Sequence, residues 1–375
     1  MLEQPTRVSK SRWLAIFLLC AILIGFFFLL RPKPRHLTFV LRHLLPAHFT
    51  DLSLAPLAFS PDGQLLAVAE KRYGVVNGVK VWRVTDGQIV RAFTIAFWVH
   101  GSSLSFSPDG KSLAVGCTDD AVRIYSIADG KLKKVLGKPT RGSGSGVSAL
   151  AFSPDGKLLA MGIQNKVVIW EVESGKRVQT LQTNLRPFPL VLSEVSFSQD
   201  SQWLVAGGDG VVQLWRVKDW KCIHRFPFAR CLHVAFRENR RQLVAVSWNK
   251  VQVWSLPEGS VVSSALPNFA TSFPRDGKFS SDGELVAVTN LKILWWLARI
   301  KDWSQRLKIP KSLNPFAQIN PLRGGVSIWR LSDGRRVAQL MRSEGGLPIG
   351  VAISPDGRFI AVGYSMGKVA IWERQ

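Results

Sequence analysis

The sequence has few cysteines and few acidic residues. Its 4 cysteines in 375 residues are too few for the disulfide framework on which small secreted domains rely. Cys117, Cys222 and Cys231 lack the spacing of a metal site, and the 6 histidines are scattered along the chain. Asp plus Glu number 26 against 49 Lys plus Arg, which gives a net charge of +23. This excess favours polyanions as neighbours, but it does not specify a fold.

The overall composition is that of a folded protein. Hydrophobic residues make up 46% of the chain and charged residues 20%, which excludes a disordered chain, a collagen and a coiled coil. A length of 375 residues is long for one compact core. We therefore expect either two or three domains or an array of internal repeats.

One long apolar run lies near the N-terminus. Trp13 to Leu30 contains no charged residue, and as a helix it would be about 27 Å long, enough to cross the hydrocarbon core of a membrane. The run ends at Arg31 without a small-residue cleavage site, which favours a retained signal anchor over the alternative, a cleaved signal peptide. Residues 1–12 would then be a basic tail, 13–30 a transmembrane helix and 31–36 a short linker.

The basic residues that flank the apolar run bear on the orientation of the predicted membrane anchor. Arg7, Lys10 and Arg12 precede the run, and a similar number of basic residues follow it. Translocation of a basic tail is unfavourable, so we expect the rest of the chain on the extracytoplasmic side. The basic character of that rest argues for the opposite orientation.

The chain after the apolar run repeats itself seven times. Each repeat carries an apolar-Ser/Ala-Phe-Ser-Pro-Asp-Gly-like phrase, and successive repeats are 39 to 47 residues apart, with one interval of 74. The anchors of the phrase are Phe59, Phe106, Phe152, Phe197, Phe236, Phe279 and Ile353. A strand-like run after each anchor ends in an aromatic residue: Trp82, Tyr125, Trp170, Trp215, Trp254, Trp329 and Trp372.

These repeats predict a closed ring of β-sheets. Their runs alternate with period two or are short and apolar, and Asp-Gly pairs such as Asp86-Gly87 mark tight hairpins. Four-stranded units of this length indicate an all-β, seven-bladed β-propeller over residues 37–375. Leu37–Leu41 is also strand-like, and we expect it to supply the missing outer strand of the last blade.

The repeats resemble those of the WD-repeat (β-transducin-repeat) family. The resemblance covers about residues 36–375 and rests on the seven phrases and on the aromatic residues that end the third strands. The family's Trp-Asp pair is absent, as in Trp82-Arg83, and its buried aspartate has one good match, Asp120. The polar network of the family is therefore expected to be largely missing, and the blades to rely on packing of the seven aromatic residues.

An insertion interrupts the sixth repeat at residues 290–325. On a helix, Ile293, Trp296, Ile300, Trp303 and Leu307 would share one face, opposite a basic face. Indoles beside cations are typical of a helix in the lipid headgroup region, but packing on the propeller or on a protein partner are alternatives. The candidate membrane or partner contacts are Trp295, Trp296, Arg299, Ile300, Lys301, Trp303, Arg306, Leu307 and Lys308.

A second candidate surface is a basic stretch in the second repeat. Lys131, Lys133, Lys134, Lys138 and Arg141 follow an outer strand and the loop after it. Lysine and arginine neutralise phosphates without sequence specificity, so the stretch is a candidate patch for polyanions, with solvated surface positions as the alternative.

The residues support binding rather than catalysis. The sequence has no nucleophile elbow, paired carboxylates at a defined spacing, cofactor fingerprint or metal motif. We expect a protein that is not an enzyme and uses no cofactor. The resemblance implies a scaffold for other proteins, here held in a membrane through residues 13–30.

Two other functions stay open. One is a binder of anionic lipid headgroups or envelope polymers; nucleic acid is not expected as a partner. The other is a propeller hydrolase, which would need Asp, Glu, Asn or His clustered in the central channel.

Overall fold

The computed structural model describes residues 37–49, 55–70, 78–95, 101–140, 146–183, 192–237, 241–247, 250–265, 273–293, 322–341 and 346–375. The chain divides into two units, Met1–His36 and Leu37–Gln375, and every described residue belongs to the second unit. Among these residues there is no helix long and apolar enough to span a membrane. The predicted transmembrane run at 13–30 lies outside the described ranges.

The described part of the chain consists of strands joined by turns. The strands of the first three blades are β2 Leu57–Phe59, β3 Leu65–Glu70, β4 Gly78–Arg83, β5 Ile89–Thr94, β6 Gly101–Phe106, β7 Ser112–Cys117, β8 Val122–Ser126, β9 Leu132–Leu136, β10 Val147–Phe152, β11 Leu158–Ile163, β12 Lys166–Glu171 and β13 Arg177–Gln182. Blades 4 and 5 contain β14 Glu194–Phe197, β15 Trp203–Gly207, β16 Gly210–Arg216, β17 Lys221–Phe228, β18 Cys231–Arg237, β19 Gln242–Ser247, β20 Val251–Ser255 and β21 Val261–Ala265. Blades 6 and 7 contain β22 Phe273–Phe279, β23 Leu285–Ile293, β24 Leu322–Arg330, β25 Arg335–Met341, β26 Pro348–Ile353, β27 Phe359–Tyr364, β28 Lys368–Arg374 and the N-terminal strand β1 Phe39–Pro46.

The strands form seven antiparallel sheets of four strands each. In six blades the strands are consecutive in the chain, and the first strand of each blade contacts the first strands of the two neighbouring blades. The contacts continue from β26 back to β2, so the innermost strands form a closed ring around a central channel. The predicted seven-bladed propeller is confirmed.

The N-terminal strand closes the ring. β1 pairs antiparallel with β28, from Phe39 opposite Arg374 to Pro46 opposite Lys368, and completes blade 7. The predicted strand at Leu37–Leu41 is thus present but begins and ends later in the chain. The backbone N–H of Leu37 donates to Val337 O in the outer strand of blade 6 (3.0 Å), so the segment leading into β1 also ties blade 6 to blade 7.

The Ser-x-Asp phrase builds the turn between the first and second strands. In blade 3, Ser153 Oγ donates to Asp155 Oδ1 (2.5 Å) and accepts the N–H of Leu158 (2.9 Å). Asp155 Oδ1 also accepts the N–H of Lys157, and Gly156 adopts a φ of 72°, which glycine tolerates without strain. The same bonds recur at Ser60, Ser107, Ser198, Ser280 and Ser354.

The hydrophobic core lies between blades rather than within them. Each of the seven junctions between neighbouring blades holds one cluster of buried side chains. Phe226 in blade 4, for example, stacks on Trp254 in blade 5 with ring centroids 4.6 Å apart. Adjacent sheets bury each other's apolar faces, which explains why a single repeat would not be stable alone.

The seven aromatic residues expected to support the blades occupy equivalent places at the ends of the third strands. Trp82, Tyr125, Trp215 and Trp254 are at most 5% exposed. The indole N–H groups of Trp170 and Trp372 are buried and find no hydrogen-bond partner among the described residues. This agrees with the expected loss of the family's polar network around the tryptophans.

The buried aspartate between the second and third strands differs from the one expected. Asp120 sits at a φ of 65° in the turn, where its carboxylate accepts the hydroxyl of Thr140 (2.8 Å). Asp119 is the buried residue, at 7% exposure, and it receives two hydrogen bonds from the Arg123 guanidinium at 2.7 and 3.0 Å. The ion pair with Arg123 compensates the burial of Asp119, whose Oδ1 also accepts the backbone N–H of Ala121 (3.3 Å).

The two faces of the ring carry different connections. The turn face holds the Ser-x-Asp turns and the hairpins between third and fourth strands, and β1 enters the ring there. The loop face, at the opposite ends of the strands, holds the connections between second and third strands and between blades. Strand β23 ends at Ile293 and β24 begins at Leu322, so the inserted segment between these strands spans 294–321 and leaves from the loop face. Ile293, which we placed on the apolar face of a helix, lies in the strand.

Candidate functional site

One position in the innermost strand differs between blades. Three residues before each anchor of the repeat, the chain has Pro56, Ser103, Ala149, Glu194, His233, Asp276 and Gly350. The position lies near the loop-face end of the channel, because each innermost strand starts at that face. Consecutive blades 4, 5 and 6 carry ionisable side chains, whereas blades 7, 1, 2 and 3 carry small residues or proline. This asymmetry makes the channel the candidate site.

The ionisable residues interact with one another, and we call Glu194, His233, Asp276 and Lys278 the channel cluster. His233 Nδ1 lies 2.6 Å from Glu194 Oε2, and the Lys278 ammonium donates to the same carboxylate oxygen. Lys278 Nζ lies 3.4 Å from His233 Nδ1. Because an ionised carboxylate can only accept hydrogen bonds, a neutral imidazole at this distance from Glu194 carries its proton on Nδ1.

Asp276 extends the channel cluster to the next blade. Its Oδ2 accepts the backbone N–H of Val351 in blade 7 (2.9 Å), and its Oδ1 accepts the N–H of Gly277 (2.9 Å). The His233 ring stacks on Phe279 of blade 6, with centroids 5.3 Å apart. The cluster therefore joins the innermost strands of blades 4, 5, 6 and 7.

The charge states follow from burial and proximity. Burial would raise the pKa of Glu194, but the Lys278 ammonium and His233 outweigh it and lower that pKa to about 2. Burial lowers the pKa of His233, and Lys278 lowers it further, against the opposing effect of Glu194. Burial also raises the pKa of Asp276, partly offset by Lys278, whereas for Lys278 the two carboxylates overcome burial and raise its pKa. At neutral pH the cluster thus holds a Glu194–Lys278 ion pair beside a neutral imidazole.

The opposite wall of the channel is formed by small residues. A cavity of about 100 Å³ lies between this wall and the channel cluster. Its lining includes Ser103, Ser148 and Ser193, and the hydroxyls of Ser148 and Ser193 are bonded to backbone carbonyls. At the junction of blades 7 and 1, a Cβ added to Gly350 would lie 2.3 Å from Ala55 O, so that position admits only glycine.

The channel residues include the types that a propeller hydrolase would need. Each of them is already paired: Glu194 with His233 and Lys278, and both oxygens of Asp276 with backbone N–H groups. No group of three or more Cys, His, Asp or Glu within the described ranges could hold a metal ion. The arrangement is that of a buried ionic network between blades, in which a general base would first have to break an ion pair.

The predicted polyanion residues do not converge on one surface. Lys131 and Lys138 lie at opposite ends of β9, on the turn face and the loop face respectively. Lys133 donates to Ser112 Oγ (3.0 Å), and Lys134 donates to Val172 O (2.9 Å) and to Glu173 O in blade 3. Arg141 lies outside the described residues. Polyanion binding at these positions stays a prediction.

Lys133 and Lys134 instead line a groove between blades 2 and 3. The groove measures about 690 Å³ and opens on the turn face. Ile124, Phe152 and Val172 supply its apolar lining, and Asp109 and Asp155 balance the two ammonium groups. Its charges therefore cancel locally.

The candidate contacts of the insertion are not placed by the structure. Trp295, Trp296, Arg299, Ile300, Lys301, Trp303, Arg306, Leu307 and Lys308 all lie outside the described residues. Their role as membrane or partner contacts stays a prediction.

Sequence reasoning missed the channel cluster. Glu194, His233 and Asp276 lie 39 and 43 residues apart, and no motif links residues at that spacing. The signal was nevertheless present, because aligning the repeats on their anchors places all three residues in one column. That column would have been conspicuous for its change from small to ionisable residues.

Comparison with known proteins agrees with this architecture. The family model of the WD domain, G-beta repeat, matches residues 95–126 and 175–216, and that of the anaphase-promoting complex subunit 4 WD40 domain matches residues 131–193. No curated protein matches the sequence.

The fold recurs widely in solved structures, 1704 chains of which match, so the fold alone cannot identify a partner. One of them, from the crystal structure of a mitotic checkpoint complex, has a TM-score of 0.68 at 19% identity, over 92% of this chain and 94% of that one. The matches to the family models, the seven repeats and the closed ring of four-stranded blades together support a WD-repeat β-propeller.

Proposed function

We propose that this propeller is a protein-interaction scaffold without catalysis, held at a membrane by residues 13–30. The observation that supports the role as a scaffold is the closed ring itself, which fixes seven sets of turns and loops on two faces. A rigid scaffold lowers the entropy cost of presenting several contacts at once. The similar chain from a mitotic checkpoint complex supports the same role, since that ring belongs to a multiprotein assembly.

Photo-crosslinking in cells tests the scaffold. A photo-reactive amino acid at Lys138 or Met366 probes the loop face, and one at Gln88 or Lys176 probes the turn face, in the full chain. All four positions are exposed. We expect discrete protein adducts from one face, and few from Val178 on the outer strand of blade 3, which serves as the control. Equal, diffuse labelling at all five positions would contradict a scaffold with a defined docking face.

The alternative proposal is a binder of anionic surfaces, which the net charge of +23 favours. It is the weaker of the two, because the described lysines of the predicted patch are split between the two faces and held by local hydrogen bonds. In the crosslinking experiment, this alternative predicts no discrete protein adduct from either face.

The membrane attachment is supported by the uncharged run from Trp13 to Leu30 and by the basic residues on both sides of it. We propose that the propeller lies on the extracytoplasmic side. Protease added to intact cells should then remove a C-terminal tag, whereas a cytoplasmic marker protein should survive. A tag that is cleaved only after lysis would place the propeller in the cytoplasm. Release of the whole chain from membranes by alkaline carbonate would contradict the proposed transmembrane anchor.

A further inference from the structure

The channel cluster contains one histidine whose surroundings oppose a positive charge. His233 is 12% exposed, and its Nδ1 lies 3.4 Å from the Lys278 ammonium. The other ionisable groups around it are Glu194 on β14, Asp276 on β22 and Cys231 on its own strand β18. Glu194, the carboxylate that could compensate an imidazolium, is already engaged by Lys278.

Protonation would change the balance within the channel cluster. The neutral imidazole donates one hydrogen bond to Glu194 and places no charge against Lys278. An imidazolium at the same place would put two cations 3.4 Å apart, with one carboxylate oxygen between them. In a partly buried site such repulsion is screened much less than at the surface.

We propose that the channel cluster makes the propeller acid-sensitive at blades 4 to 6, with His233 as the switching group. Below the pH at which the imidazole takes up a proton, the partly buried imidazolium is repelled by the Lys278 ammonium, and the innermost strands of blades 4, 5 and 6 loosen first. The rigidity of the ring would then depend on pH, whichever partner the ring binds.

The direction of the effect follows from linkage. The pKa of His233 is lowered from 6.5, mainly by burial and then by Lys278. The unfolded chain therefore binds more protons at this residue than the folded chain does at mildly acidic pH. The stability that the neutral imidazole provides is complete above pH 6.5 and is lost as the pH falls through the lower value in the folded protein. Glu194, with a pKa of about 2 in place of 4.5, loses its contribution only in stronger acid.

Asp276 works in the opposite direction, since burial raises its pKa. Its protonation at low pH favours the folded state and would mask part of the histidine effect. A variant that removes only the titration of His233 separates the two contributions.

The test is the thermal unfolding midpoint of the full chain in detergent, read from the near-ultraviolet signal of its tryptophans. Between about pH 7.5 and about pH 5.5 we expect the native midpoint to fall by at least about 2 °C. His233→Gln keeps a donor for Glu194 but cannot titrate, so its midpoint should not fall over the same range. His224→Gln is the matched control: His224 also bonds through its ring, to Pro257 O (2.6 Å), but lies on an outer strand. It should retain the native slope.

A His233→Gln protein that keeps the native slope would overturn the proposal, as would a loss of the slope in His224→Gln. If His233→Gln does not fold, Lys278→Met provides the second test. It retains the histidine and removes the neighbouring cation, so the acid-dependent fall in the midpoint should become smaller. An undiminished or steeper fall in that variant would refute the role of Lys278 and with it the proposed switch.

Discussion

The two walls of the central channel have the same backbone and different side chains. At the junctions of blades 3 with 4 and 4 with 5, the equivalent residues are Ala149 and Glu194, opposite Gly162 and Gly207 in the respective second strands. Ala149 packs in the apolar cluster between blades 3 and 4, whereas Glu194 reaches His233 in blade 5. One repeat geometry thus accepts either an apolar or an ionic junction, and the choice depends on which partners the neighbouring blade offers.

The two kinds of junction respond differently to change. An apolar junction is stabilised by area buried, which a small residue already provides. An ionic junction is stabilised only while every charge keeps its partner, because a lone buried charge costs far more than the pair contributes. Loss of one residue from the channel cluster should therefore have a larger effect than loss of a polar atom from the small-residue wall.

The largest effect is expected when the ionic residue is moved to the apolar wall. Ala149→Glu places a carboxylate at a position that is 2% exposed and packed in the apolar cluster between blades 3 and 4. We expect a loss of about 4 kcal/mol in the free energy of unfolding, since the charge would be buried among apolar side chains. Denaturant unfolding of the full chain measures it.

Ala149→Gln is the control for size in that experiment, because it adds the same number of heavy atoms without the charge. The glutamine variant should be clearly less destabilised at neutral pH, and the two should approach each other in acid as the introduced carboxylate takes up a proton. Equal losses at all pH values would mean that crowding alone separates the two walls.

The next largest effect is expected from breaking the ionic wall. Lys278→Met removes the ammonium that Glu194 and Asp276 share electrostatically, at a site where Lys278 is 30% and Glu194 12% exposed. We expect about 3 kcal/mol of destabilisation, because the buried carboxylates lose their main compensation. The pKa of Glu194 should rise towards its ordinary value at the same time, so the variant should lose less stability between neutral pH and strong acid than the native protein does.

Ser148→Ala is the matched change on the opposite wall. Its hydroxyl lines the same cavity and donates one long hydrogen bond, to Gly162 O (3.3 Å). Its removal should cost no more than about 1 kcal/mol. A serine variant as destabilised as Lys278→Met would show that the cavity is sensitive throughout and that the charged wall is not special.

Much of the ring could be predicted from the sequence because each repeat carries its own local signals. The Ser-x-Asp phrase makes its hydrogen bonds within six residues, as Ser153, Asp155 and Leu158 illustrate, so it forms the same turn in the six blades that carry it. The alternation of apolar residues indicates which face of a half-buried strand turns towards the core. The closing strand β1 could be predicted as well, because the seventh repeat supplies only three strands and its blade needs a fourth.

The polar details could not be predicted in the same way. Asp119 and Asp120 are adjacent residues of the same type, and only the folded blade shows that Asp119 is the buried one, paired with Arg123. Lys131, Lys133, Lys134 and Lys138 are contiguous in the sequence as a basic stretch, but alternation along β9 and contacts with blade 3 separate them. Contiguity in sequence does not make a surface in a sheet.

The sequence by itself determined the number of blades, the turns and the apolar core, because these depend on interactions within one repeat or on a pattern common to all repeats. Only the tertiary structure decided that Glu194, His233, Asp276 and Lys278 form one ionic network. They come from three separate repeats, and the packing of consecutive blades around the channel brings side chains 39 and 84 residues apart into hydrogen-bonding distance. Electrostatic partners are set by distance in space, which a local sequence pattern does not encode.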